Sequence, residues 1–135
     1  MLAALRRDLS LSHRKPVKLR CLLVDDSEEF LASAARLLES QGLDVVGCAT
    51  RRSEALELAA SLEPDVALVD IELADEDGIV LAGELAVKAP STQIVLISAY
   101  DQEELSEVIA GSPAAGFLSK SDLGVDGIRR LVSVD

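Results

Sequence analysis

Apolar residues in this chain follow two alternating rhythms. Leu19–Val24, Leu43–Ala49, Val66–Val69, Ile94–Ile97 and Gly116–Ser119 are short runs with few polar interruptions, the mark of strands covered on both faces. Between them the apolar positions recur at helical spacing: Phe30/Leu31, Ala34/Ala35 and Leu37/Leu38; then Ala55, Leu56, Ala59 and Leu62; then a stretch over about Ile79–Lys88. Leu105, Val108 and Ile109 mark a short fourth helix, and Ile128, Leu131 and Val132 a last one of about two turns. Gln41-Gly42, Pro64, Pro90-Ser91 and Gly111-Ser112-Pro113 stand where helices must stop. Strands and helices taken in turn predict an α/β domain, one parallel sheet with helices on both faces.

Composition fits that plan. The chain has 135 residues, about one domain, and only Phe30, Tyr100 and Phe117 are aromatic. Its core must therefore be built from Leu, Val, Ile and Ala. Cys21 and Cys48 each lie inside an apolar run and read as small core residues in a reducing, cytoplasmic compartment. His13 is the sole histidine, so neither a zinc cluster nor a histidine phosphocarrier is available. No apolar stretch approaches the length of a membrane span, and Met1–Leu5 lacks the features of a signal peptide.

Charge divides the chain. Residues 1–18 carry Arg6, Arg7, Arg14, Lys15 and Lys18 against Asp8, a net +4, which leaves −15 of the overall −11 on the rest. That segment fits none of the strand or helix patterns and reads as a flexible basic tail or appended remnant, with the domain at 19–135. A body so acidic repels phosphate backbones and is not expected to grip nucleic acid by itself.

The candidate chemistry lies where the strands end. In open parallel sheets ligands bind at the carboxyl edge. The first strand ends in Asp25-Asp26, the third in Asp70, the fourth in Ser98 and the fifth in Lys120. Singly, each has a plain reading: a helix cap, a turn acid, a solvated lysine. Together, four strands out of five deliver a polar group to one edge. Three carboxylates are hard oxygen ligands suited to Mg²⁺. One carboxylate can attack a phosphoryl group, and a hydroxyl, an ammonium and the metal can neutralise the charge that develops.

Leu22-Leu23-Val24-Asp25-Asp26, Asp70 with Gly78 eight residues on, Ser98-Ala99 and Phe117-Leu118-Ser119-Lys120 resemble the receiver domain of two-component response regulators (CheY-like) over about residues 19–132. The resemblance implies a (βα)5, flavodoxin-like doubly wound sheet of order 2-1-3-4-5. It implies Asp70 as phosphoacceptor, Asp26 as direct Mg²⁺ ligand, Asp25 acting mainly through a metal-bound water, and the Glu72 backbone carbonyl as a further ligand. Ser98 and Lys120 would contact the phosphoryl group, and Phe117, with Ser98 and Tyr100, would belong to the switch. Implied partners are a sensor histidine kinase or phosphotransfer protein, and a second copy through the face from strand four to helix five.

Three positions depart from the family's usual pattern. Ala74 stands where proline is frequent, Ser121 follows Lys120 where many receivers have proline, and Tyr100 is bulky two residues past Ser98. The segment Ala115–Ser121, without that proline, is similar to receivers of LuxR-type transcription factors. This implies a transcriptional regulator whose DNA-binding domain follows the chain; the alternatives are a stand-alone receiver that acts by docking and a phosphorylation-independent pseudo-receiver. A Mg²⁺-dependent phosphohydrolase with an aspartate nucleophile is disfavoured: Ile71-Glu72 offers no second Asp two residues on, and the chain leaves no room for a cap. The expected role is a phosphoaccepting signal, not an enzyme acting on other molecules.

Overall fold

The computed structural model describes residues 18–100 and 102–132. The expectations for residues 1–17, including the basic tail, lie outside them. The five strands are β1 (Arg20–Val24), β2 (Asp44–Ala49), β3 (Val66–Asp70), β4 (Gln93–Ser98) and β5 (Gly116–Ser119). The helices are α1 (Glu28–Ser40), α2 (Arg52–Leu62), α3 (Gly78–Lys88), α4 (Gln102–Ala110) and α5 (Val125–Leu131). The sheet is parallel throughout and its spatial order is β2-β1-β3-β4-β5, the doubly wound arrangement expected.

Strand alternation splits the core in two. Leu22, Val24, Ala67, Val69, Leu96 and Phe117 point toward α2, α3 and α4, where Ala55, Ala59, Leu81 and Leu85 meet them. Leu23, Leu68, Val95 and Ile97 point the other way, onto Leu31, Ala34 and Leu38 of α1 and Ile128 of α5. β1 and β3 are thus enclosed on both faces. A fully buried Leu or Val contributes roughly 2 kcal/mol there, so their polar ends cannot slide inward without losing several such contacts.

β2, an edge strand, behaves differently. Its burial is incomplete, and Cys48 is exposed while Cys21 is wholly buried. The expectation that both thiols lie in the core therefore fails at Cys48. An edge strand has no neighbour on its outer side, and an apolar run alone does not reveal that position. Burial, followed by the neighbouring Cys48, pushes the Cys21 thiol up to about 12, which keeps it protonated and inert.

One small feature was not legible beforehand. After β3 the chain forms a short antiparallel ladder, Glu72–Leu73 against Glu76–Asp77, before entering α3. Glu76 accepts a hydrogen bond from the Arg52 backbone N–H (2.8 Å), so the ladder is tied to the start of α2. Arg52 also forks onto Glu84 of α3 through Nε and Nη2, both at 2.6 Å. Among the described residues no helix is long and apolar enough to cross a membrane.

Candidate functional site

The carboxyl edge brings the expected groups together. Asp25 follows β1 directly, its N–H still bonded to the Ala49 carbonyl (3.0 Å), so it is held like a strand residue. Its Oδ1 accepts from the Ser27 N–H (2.9 Å), and Ser27 in turn caps α1 by accepting from the Phe30 N–H (3.1 Å). Asp70 ends β3, with Oδ1 accepting from the Glu72 N–H (3.0 Å). Both side chains are nearly enclosed, at 0% and 5% exposure, whereas Asp26 is open to solvent.

Lys120, just past β5, lies between the two buried acids. Its Nζ stands 2.6 Å from Asp25 Oδ2 and 3.3 Å from Asp70 Oδ2. The contact with Asp70 is a hydrogen bond, but Asp25 Oδ2 is buried and accepts no hydrogen bond of acceptable angle. Burial works against the Lys120 charge, yet the Asp25 and Asp70 carboxylates outweigh it and hold the ammonium above its ordinary value. Burial is also the main cause that pushes the Asp70 carboxyl up to about 6; the Glu72 N–H and Lys120 oppose it, and the Asp25 charge adds to it.

A cation fits this arrangement. A carboxylate oxygen from each of Asp25, Asp26 and Asp70 lies within 4.8 Å of the others, and the Asp25 Oδ2, though paired with Lys120, accepts no well-angled hydrogen bond. One ammonium for three acids leaves the cluster short of positive charge, and an all-oxygen donor set suits a hard divalent ion.

The remaining expected residues are placed as follows. Ser98 is fully buried at the end of β4, and its Oγ accepts from the Tyr100 N–H (3.0 Å). Phe117 is buried and pairs in register with Leu96. Tyr100 is half exposed. It is not among the residues lining the open cleft of about 820 Å³ beside the acids; Asp26, Asp70, Glu72, Ile79 and Val108 are. Two other acids on the cleft rim also hold structure: Asp77 caps α3 by accepting from the Ile79 N–H (2.8 Å), and Glu76 takes the Arg52 N–H.

Two residues were not anticipated in their roles. Phe30 places its ring 4.3 Å below Lys120 Nζ, which helical spacing, reading it as core, could not foresee. Gly78 approaches Asp70 so closely that its backbone N–H bonds the Ile71 carbonyl (2.9 Å). Its spacing from Asp70 was visible; the reason for it was not.

An acid cluster at the carboxyl edge of a five-stranded doubly wound sheet defines a class of small phosphoryl-handling and signalling domains. Residues 21–128 match the response regulator receiver domain family, and the chain belongs to it. It is 36% identical over 115 residues to a protein-glutamate methylesterase/protein-glutamine glutaminase of Alkalilimnicola ehrlichii, covering 82% of this chain and 29% of that protein. It is 32% identical over 118 residues to the DNA-binding transcriptional activator DevR/DosR of Mycobacterium tuberculosis, covering 85% of this chain and 54% of that protein. The chain thus spans about half or less of these relatives' length. Among solved structures, it resembles a Burkholderia pseudomallei response regulator holding a phosphorylated aspartic acid, a calcium ion and citrate, with TM-score 0.74 and 26% identity over 87% of this chain and 68% of that one.

Proposed function

We propose that Asp70 is the phosphoacceptor of this receiver and that Asp25, Asp26, Asp70 and the Glu72 carbonyl hold Mg²⁺. The observation that carries the reading is Lys120 Nζ shared between Asp25 and Asp70 at 2.6 and 3.3 Å, a compensating charge beside a buried carboxylate. The related Burkholderia regulator, with its phosphorylated aspartic acid and calcium ion, supports it.

The chemistry follows from these groups. An Asp70 carboxylate oxygen attacks the phosphorus of a phosphohistidine or acyl phosphate. A P–O bond to Asp70 forms while the donor's P–N or P–O bond breaks, and the donor group leaves with the electron pair. With its carboxyl near 6, Asp70 is mostly ionised at neutral pH and able to attack. Lys120 stands where phosphoryl oxygens arrive and offers an ammonium; Ser98 Oγ lies at the end of the adjacent strand. When bound, Mg²⁺ neutralises phosphoryl charge. Phe117, Ser98 and Tyr100 then relay the new charge to the face from β4 to α5, shifting a two-state equilibrium.

In this reading the donor is a cytoplasmic sensor histidine kinase or phosphotransfer protein, and the β4–α5 face pairs with a second copy. The domain occupies 19–135 and the output is transcriptional, through a DNA-binding domain elsewhere in the parent protein. The 32% identity to DevR/DosR supports that output. Incubation with Mg²⁺ and a small acyl phosphate should add one phosphoryl group to the intact mass, and Asp70→Asn should remove the gain. Equal labelling of Asp70→Asn would overturn the assignment.

A further inference from the structure

Lys120 is held by more than its two carboxylates. Phe30 is the third residue of α1, and its ring lies under Lys120 Nζ with 4.3 Å to the centroid. The contacts close on themselves: Asp25 Oδ1 accepts from Ser27 N–H (2.9 Å), Ser27 Oγ accepts from Phe30 N–H (3.1 Å), and Lys120 Nζ, over that ring, returns to Asp25 Oδ2 (2.6 Å). Any shift of α1 therefore moves both Asp25 and the ring that supports its counter-charge. The third position of a helix capped by serine is often Glu or Gln, which reaches back to the cap. Here an aromatic replaces that acid, and the Lys120 side chain is only 23% exposed, so its charge has little water to draw on.

We infer that Phe30 is a positioning residue: its ring holds the Lys120 ammonium against Asp25, where it competes with the divalent cation for the same carboxylates. Ammonium and metal need the same two buried acids, so whatever strengthens the hold on Lys120 weakens metal binding. A cation over an aromatic face in a partly desolvated place is worth enough to shift an equilibrium severalfold. The ring also keeps the ammonium within reach of arriving phosphoryl oxygens once a metal displaces it from the acids.

The inference rests on the reading of Asp25 and Asp70 as cation ligands, and the test separates the two. Mg²⁺ affinity is measured by calorimetry on wild type, Phe30→Leu, Phe30→Tyr, Lys120→Met and the Phe30→Leu/Lys120→Met double variant, each checked as folded by circular dichroism. Phe30→Leu should tighten Mg²⁺ binding about fivefold, corresponding to roughly 1 kcal/mol. Phe30→Tyr, which keeps a ring, should bind as wild type does. In the Lys120→Met background, Phe30→Leu should change nothing further, an outcome a general packing role would not produce. If Phe30→Leu does not fold, Phe30→Met carries the same comparison. An unchanged affinity, or an effect that persists without Lys120, overturns the role of Phe30 alone. A wild-type protein that binds no Mg²⁺ overturns both readings.

Discussion

Gly78 lies against the backbone of Asp70 so tightly that a Cβ there would fall 1.9 Å from the Asp70 carbonyl oxygen. The obstacle is main chain and cannot swing aside. Gly78→Ala must push the start of α3 away from β3, and it should cost roughly 1–3 kcal/mol, as overpacking does. Urea denaturation should show the lowered midpoint, together with weaker Mg²⁺ binding as Asp70 is displaced. An unchanged midpoint would show that the approach tolerates a methyl group.

Metal removal should be visible as stability. Asp25, Asp26 and Asp70 crowd negative charge that Lys120 only partly offsets, so a cation binding the native state alone raises the melting temperature. At a hundredfold excess over Kd the gain is about 2.7 kcal/mol, and EDTA should reverse it. Asp26→Ala, at a solvent-exposed position, should remain folded yet lose the Mg²⁺-dependent gain. A variant that retains the full gain would remove Asp26 from the site.

Without metal, pH should act through Asp70. Its folded-state carboxyl sits near 6 against an ordinary 3.8, chiefly because it is buried. The native state therefore binds this proton more tightly than the unfolded chain does. The associated stability is fully present below about pH 4 and is lost as pH rises through about 6. In EDTA, Asp70→Asn should melt above wild type at about pH 7.5, and the gap should narrow as pH falls toward 4. A constant gap would mean that ionisation of Asp70 is not its origin.

Ala74 has φ +45°, at the first of two residues linking Leu73 to Glu76. Left-handed backbone is strained for a residue with a Cβ, and Gly is the residue favoured at a positive-φ first position of a tight hairpin turn. Ala74→Gly should stabilise the protein by about 0.5–1 kcal/mol in thermal melts. Ala74→Pro should destabilise it, since proline locks φ near −65°. The proline that the family resemblance leads one to expect here does not fit this turn as formed; a stable Ala74→Pro protein would show that the turn rebuilds readily.

Much of this was legible in the residues because a doubly wound sheet writes its plan plainly. Buried strands show as apolar runs, and four of the five runs end in a polar residue at the edge: Asp25, Asp70, Ser98, Lys120. Pairwise geometry was less accessible. Phe30 reads as core by helical spacing, and nothing in one dimension shows that its ring reaches Lys120, ninety positions later. Cys48 looked buried because an apolar run does not say whether its strand lies at the edge of the sheet. Asp75, Glu76 and Asp77 stand in sequence as three undistinguished neighbouring acids, whereas in the structure Asp77 is a helix cap and Glu76 an anchor for Arg52.

The scatter of the site along the chain also sets an order in time. Asp25 and Asp70 leave the ribosome first, and Lys120 arrives only with β5, a four-residue strand held to the sheet along its pairing with β4. Until that last strand docks, two buried acids face each other uncompensated, and the unfinished sheet is its least favourable version. Lys120 is thus the last of these charges to be put in place, after both acids that it offsets. A nascent or partly unfolded copy therefore carries Asp25 and Asp70 without the ammonium that offsets them, so the charge balance of this edge belongs to the folded chain alone.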